Sequence, residues 1–367
     1  MKKRLFSLLL VSALVFTLSG CGEKSLLRES DPVTLNFWHV YGEQSGSPMD
    51  LLVQEFNRTV GQEKGVRVQV TNLSSASKIG GFLKEAQKGG RDVPEMPDLF
   101  TCHISDATAL GSDNLVDWNA RFTAEELSNF VPGFLADGMT EDGTLLLFPI
   151  SKSTQLLMCN GSGFARSLAQ GHVVVSDLYS NTQVMTGDVL SGLGSSAAIL
   201  YYNDTVTYRD GTQEPMDLHV LPMPKTAGAD ALMTQAGVGL CAYKTTDQKA
   251  EAAALFVRWL TENGRNLDFV AQTGYMPVRN GAFDAIENYD KFPEPTESYR
   301  QLYAALKIMQ ESYTPLSEPR FEGYYGKVSQ LYDGLRQMQQ KLPARAAAGE
   351  SIDTLAEETW ALLCAIH

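Results

Sequence analysis

Trp38, His39, Tyr41 and Glu43 fall within six residues at the end of a β-like run. Aromatic faces stack on the apolar C–H faces of a sugar ring. Hydroxyls and carboxylates exchange hydrogen bonds with its OH groups. This is binding chemistry, although Trp38 fits a protein core equally well. Reaction chemistry finds little support. The sequence has no H-E-x-x-H, no G-x-x-x-x-G-K-[ST], and no G-x-S-x-G on a strand-to-helix turn. Its five histidines, 39, 103, 172, 219 and 367, form no i, i+4 pair for a metal. Gly192-Leu-Gly194-Ser-Ser-Ala197 fits the dinucleotide fingerprint as a string. That fingerprint needs a following helix N-terminus, and the β-favouring Ile199 to Tyr202 follows instead. A hydrolase would need two carboxylates about 5–9.5 Å apart, and no acid pair in the sequence points to one.

The chain has 367 residues, 44% of them hydrophobic and 20% charged, with a formal charge of −13. Such a chain builds about two globular domains. The acidic balance argues against a nucleic-acid partner, which wants a basic footprint. Lys2, Lys3 and Arg4 precede an apolar run from Leu5 to Leu18. That run is shorter than the roughly 20 residues a spanning helix requires and matches a signal-peptide core. Leu18-Ser19-Gly20-Cys21 resembles the lipobox of bacterial lipoproteins. The resemblance implies a signal peptide over 1–20, lipid on Cys21 and a polar tether over 21–32. Removal of the three cations takes the charge from −13 to −16. Two or three acyl chains hold a protein at a membrane stably, so the expected product is lipid-anchored and extracytoplasmic. Cys102, Cys159 and Cys241 sit in apolar runs and, like Cys364, lack a C-x-x-C neighbour. They read as buried thiols, and export leaves a disulfide among them open. No metal site is expected.

Strand-like and helix-like segments alternate. Val33 to Trp38 reads as a strand. Ser47-Pro48-x-Asp50 reads as a helix start. Met49, Leu52, Val53 and Phe56 then share one face, and Gly61 is the expected stop. Val66, Val68 and Val70 alternate as a strand. Ile79, Phe82, Leu83 and Ala86 predict a helix, and Pro97 to Cys102 another short strand. This order predicts a mostly parallel sheet with helices on its faces. Long β-like stretches are expected over 144–160, 189–202 and 237–243. Helices are expected over 246–262, 265–273, 297–313, 321–341 and 351–366, with Ala344 to Ala348 a bridge before the last.

A set of ordered fragments resembles a family. Phe37-Trp38-His39 to Gly42, Phe148-Pro149-Ile150-Ser151-Lys152-Ser153-Thr154 with Asn160, Ser195-Ser196-Ala197-Ala198, and Trp259-Leu-Thr261-Glu262 ahead of Thr273-Gly274-Tyr275-Met276-Pro277-Val278 are similar to the type 1 extracellular solute-binding proteins of ABC importers. The resemblance covers about 33–160 and 164–340. It implies a periplasmic-binding-protein-like α/β fold of two lobes with hinge-crossing strands, and a ligand cleft between the lobes. Lobe 1 would take 33–148 with part of 240–300; 149–239 and 300–367 would form lobe 2 and the hinge. It implies no catalysis and no cofactor. The implied partners are a sugar or related polyol and the permease subunits of the importer, the protein itself being a monomer. By the same likeness, Trp38, His39 and Tyr41 face the cleft, and His103, Ser105 and Asp106 follow a strand where relatives contact ligand. Lys152 and Ser153 match a polar position near the hinge, Ser195 and Ser196 a serine pair that reads the ligand. Gly237 would let backbone approach closely, and Tyr275 would offer a ring and a hydroxyl.

Two departures from the family matter. Glycerol-phosphate binders carry a pattern resembling F-K-G-x-R-x-G; here Phe321-Glu-Gly-Tyr-Tyr-Gly326 has Tyr in place of that Arg, with Arg320 close by. Loss of a bidentate phosphate donor favours a neutral sugar. Relatives also carry tens of residues after Asn160 that this chain lacks by the same likeness, so lobe 2 should be reduced, with an exposed apolar face or an altered packing. A relative that no longer binds ligand and acts as an envelope interaction protein is the competing expectation.

Overall fold

The computed structural model describes residues 26–42, 46–73, 76–90, 94–160, 179–225, 228, 230–321 and 324–350. The signal peptide, Cys21, Glu43, Cys364 and the helix expected over 351–366 lie outside them, as does 161–178 beyond Asn160.

The first sheet starts with β1 (Val33–His39), whose alternation of buried and exposed residues ends at Phe37 because both faces are covered from there on. Helix α1 (Pro48–Arg58) begins as the sequence predicts, the Asp50 amide donating to Ser47 Oγ at 3.3 Å. The short α2 (Val60–Lys64) follows, and the expected stop at Gly61 is corrected to Gly65, which takes the left-handed cap. Then come β2 (Val66–Asn72), α3 (Ala76–Lys88), β3 (Leu99–Cys102), α4 (Ile104–Leu110), α5 (Ala124–Ser128) and α6 (Pro132–Asp137).

A second sheet uses β4 (Gln155–Asn160), α7 (Ser180–Met185) and β5 (Ser191–Ser195), after which a 3₁₀ turn spans Ser196–Tyr201. A hairpin of β6 (Thr205–Thr207) and β7 (Gln213–Pro215) leads to β8 (Leu218–Leu221). The chain returns through β9 (Leu232–Gln235) and β10 (Gly239–Ala242) to α8 (Asp247–Leu260), α9 (Asn263–Thr273) and α10 (Asn280–Ala285). It ends with α11 (Thr296–Ser312), β11 (Thr314–Ser317) and α12 (Tyr324–Ala347). Helix α12 runs through the small residues expected to be a bridge.

The first sheet has the order β10-β3-β1-β2, with β1 parallel to β2 and β3 and β10 antiparallel to β3. The second is β5-β4-β8, antiparallel throughout. A third, two-stranded sheet pairs β9 with β11. Phe37 packs under Phe56 and Phe256, ring centroids 5.8 Å from the latter, and this core continues without a break to Leu218 and Val220 of β8. Each such side chain removed from water contributes roughly 1.5–3 kcal/mol. The face opposite Phe37 buries Trp38 and Phe100 against Ile79 and Leu83 of α3.

The β-like stretch over 144–160 is a segment that changes partner every few residues. Phe148 bridges Leu240, Lys152 bridges Met276, Ser153 bridges Ala236, and β4 begins at Gln155. A chain crossing between sheets meets a new neighbour at each step, so no one ladder forms. Likewise only Ser191–Ser195 of the stretch 189–202 is strand.

The second sheet has three strands against four in the first. Leu193 and Leu221, register partners of Leu157, are 53% and 41% exposed.

Gly138 ends α6 in a space that admits no side chain: a Cβ there would lie 1.9 Å from the Leu147 carbonyl. Its own carbonyl accepts from the amides of Leu146 and Leu147 at 3.1 Å each. Gly138→Ala should therefore cost about 1–3 kcal/mol through displaced backbone, read as a lowered midpoint in urea.

Candidate functional site

Segments from five parts of the chain converge at one small cavity. Its walls are His103, Ile104 and Ser105 at the β3–α4 junction, Asp137 at the end of α6, Leu147 just before Phe148, Gln235 at the end of β9 with Gly237 ahead of β10, and Glu318 and Pro319 after β11. It encloses about 10 Å³, room for a single water.

Helix α4 starts at His103, which caps it, and Asp106 reaches back to the His103 amide at 3.3 Å. Ser105 thereby stands in the first turn, facing the cavity. Asp137 pairs with Lys152, whose side chain is 1% exposed against 9% for the acid. Arg320 grips the same helix end, donating to the carbonyls of Ala136 at 3.3 Å, Asp137 at 3.2 Å and Met139. Gln235 is 3% exposed; its amide nitrogen donates to Gly133 O at 3.1 Å and Ser317 Oγ at 3.2 Å. That orientation leaves its Oε1 buried with no donor, a costly state unless something supplies one. Burial holds His103 below its ordinary value despite the opposing carboxylates Asp106 and Glu318, and burial raises Asp106.

From Gly237 a polar seam runs toward the second sheet. Ser153 exchanges both backbone hydrogen bonds with Ala236 at 2.9 Å, and its hydroxyl lies 3.3 Å from that of Ser196. The Ser196 amide donates to Thr154 O at 2.8 Å. Gly274, at φ +67°, passes so close that a Cβ would lie 2.9 Å from Ala197 Cα. This sets Tyr275 beside Tyr41, ring centroids 6.1 Å apart, and Tyr41 Oη lies 3.1 Å from Ser151 Oγ.

His103, Ser105 and Gly237 therefore share the cavity, with Lys152 behind its Asp137 wall. Ser153, Ser196, Tyr275 and Tyr41 share the seam, and Ser195 stands at the start of the 3₁₀ turn. Three expected site residues stand in the packing around the site. Trp38, 8% exposed, is core between β1 and α3, because at position 38 the strand faces a helix and not an opening. His39 is fully buried and organises the loop after β1: Nε2 meets Asp50 Oδ1 at 2.7 Å, and Nδ1 accepts the Tyr41 amide at 3.2 Å. Asp106 is a helix cap packed against Gly80. Gly237 also has a reason other than the expected close approach. The nearest atom to a Cβ there is 3.8 Å away, and its φ of +109° is what demands glycine. Asp137, Gln235 and Glu318 were missed. They lie up to 181 residues apart in no motif, and only the flanking Gly138, Gly237 and Pro319 mark them as chain turns.

His39 supplies a pH test. Burial lowers its pKa below 6.5, and Asp50 offsets this only in part. On acidification the unfolded chain takes its proton first, so stability present above 6.5 is lost as pH falls below it. The melting temperature should drop between about pH 7.5 and pH 5.5, and His39→Gln should flatten the drop. Equal slopes for both chains would clear His39 of this role.

Among the described residues, no helix is long and apolar enough to cross a membrane, and no cluster of three or more His, Cys, Asp or Glu could hold a metal.

Residues 164–294 match the family model of a bacterial extracellular solute-binding protein. No curated protein matches the sequence. Among solved structures, the cyclic α-maltosyl-1,6-maltose binding protein of Arthrobacter globiformis is similar at 14% identity and TM-score 0.63, covering 92% of this chain and 99% of that one. UgpB of Mycobacterium tuberculosis, solved with glycerophosphocholine, is similar at 16% and 0.62, covering 91% and 99%. Maltose-bound MalE3 of T. maritima is similar at 14% and 0.56, covering 90% and 98%. Over 164–294 the sequence is similar to the bacterial extracellular solute-binding proteins, and the α/β fold of the chain is similar to that of these solved structures.

Proposed function

We propose that the chain is a lipid-anchored extracytoplasmic receptor that binds a neutral carbohydrate and hands it to an ABC importer. The observation that carries this reading is the cavity where the crossing segments meet, walled by His103, Ser105, Asp137, Gln235 and Glu318. Sugar hydroxyls are donors and acceptors at once. The orphaned Gln235 Oε1 suits such a donor. Arg320 is spent on the end of α6 and Lys152 on Asp137, so neither is left to face a phosphate here. Maltose and a cyclic maltose derivative are named as ligands of structural neighbours, which supports a sugar. A space of about 10 Å³ does not hold a sugar ring. Binding requires the walls to part and close again over the ligand, a population shift driven by contacts made only when closed.

In this reading lobe 1 is 33–148 with part of 240–300, and lobe 2 and the hinge are 149–239 and 300–367. Lipid on Cys21 holds the receptor near its permease, and the binding cycle involves no catalysis. The exposed Leu193 and Leu221 favour a second reading, an envelope interaction protein that binds no sugar.

A thermal-shift screen of residues 22–367 against sugars, polyols and glycerol phosphate separates the two. A ligand at 100 times its Kd adds about 2.7 kcal/mol, a rise of about 5–10 °C. One responsive class of neutral sugars is the expected result. A response to glycerol phosphate alone overturns the neutral-ligand assignment. A cooperative melt that no compound shifts favours the interaction protein.

A further inference from the structure

Cys102 ends β3 and Cys241 lies in β10, on adjacent antiparallel strands. Cys102 is in register with Gly239 and Cys241 with Phe100, so the two thiols are diagonal neighbours. Their sulfurs are 3.6 Å apart. Both residues are 0% exposed, and Cys241 Sγ also lies 3.0 Å from Leu146 O. A bonded pair is about 2.05 Å, so closing this contact takes about 1.5 Å of side-chain and strand adjustment. The extracellular family match puts the chain in a compartment where disulfides form and persist.

We propose that Cys102 and Cys241 become a disulfide as the chain folds outside the cytoplasm. The oxidant is a thiol–disulfide oxidoreductase in its disulfide form. One cysteine thiolate attacks a sulfur of that disulfide and breaks it, forming a mixed disulfide. The second thiolate then attacks the substrate sulfur of that intermediate, forming the Cys102–Cys241 bond and releasing the oxidoreductase. Two electrons pass to the oxidoreductase, and the two protons lost by the thiols balance those its dithiol gains. The step precedes docking of β10 onto β3, because buried thiols are inert and burial pushes the Cys102 thiol well up.

The bond has a consequence for the cavity. Cys102 directly precedes His103, and its register partner Gly239 is two residues from Gly237. The disulfide would staple together the two strand ends whose loops form cavity walls.

The test is a peptide map of the full chain recovered from the extracytoplasmic fraction, alkylated in denaturant without reductant. The expected result is one species joining the Cys102 and Cys241 peptides, two hydrogens lighter than their sum and separated by reductant. Both cysteines alkylated, or either joined to Cys159 or Cys364, overturns the proposal. Reduction of the isolated protein should lower its melting temperature by about 5–10 °C. A Cys102→Ser chain should melt at the reduced temperature whether or not reductant is present. Should that variant fail to fold, the map of the unaltered chain still decides.

Discussion

Lys152→Met should lower the unfolding free energy by about 3–5 kcal/mol, the cost of stranding a buried charge. Lys152 and Asp137 are 1% and 9% exposed, and each is the other's ion-pair partner. Methionine keeps the length and most of the volume of the lysine but leaves the buried Asp137 carboxylate without its cation. The attraction within the pair is not itself the source of the effect. Desolvation offsets much of that attraction, so removing both charges is far milder than removing one. Lys152→Met/Asp137→Leu should recover more than half of the loss. With Asp137→Leu alone and the unaltered chain, the four chains form a double-mutant cycle in urea, and a coupling above about 2 kcal/mol is the expected reading for such a contact. A single-variant loss below about 1 kcal/mol would mean that water reaches the pair, as it does at exposed salt bridges. The cavity wall at Asp137 would then be wetter than the geometry says.

Ser105→Phe should weaken binding of the responsive sugar by at least about 100-fold, equivalent to about 2.7 kcal/mol, and leave the fold nearly as stable. Ser105 is half-buried in the first turn of α4 and lines the cavity. A phenyl ring there fills the ligand's space without entering the core. Trp38→Ala should do the reverse. Trp38 packs against Ile79, Leu83 and Phe100, so truncation leaves a void and costs about 3–5 kcal/mol. Its effect on Kd should be within about 3-fold, since distant sites act independently. Calorimetric titration of both variants, beside their melts, measures the two axes separately. Undiminished binding by Ser105→Phe would remove the cavity from consideration as the ligand site. Lost binding with full stability in Trp38→Ala would restore Trp38 as a ligand contact.

Local signals were readable wherever a few neighbouring residues carry the physics. Ser47 and Pro48 cap α1 as their types demand, and Val66, Val68 and Val70 mark β2 by alternation alone. Gly61 misled because a glycine can stop a helix or admit close packing. Here it is buried, with room for no Cβ beside Val66 O, and Gly65 makes the turn. The β-like character of 144–160 was legible, but not which partners it meets, because β-favouring residues suit any extended chain whether or not it keeps one partner.

The sequence by itself determined the broad α/β order, the absence of common catalytic motifs, the acidic balance and the family likeness in the blocks around Ser153, Ser196 and Tyr275. All of these depend on residue type and short spacing. Only the tertiary structure decided which of those residues meet. It turned Trp38 and His39 into the interior, joined Lys152 to Asp137, and drew Gln235 and Glu318 to His103 across more than a hundred residues of chain. Which face a strand end presents depends on what the rest of the chain lays over it. That cover comes from crossing segments whose partners are set by long-range packing, and no local pattern encodes them.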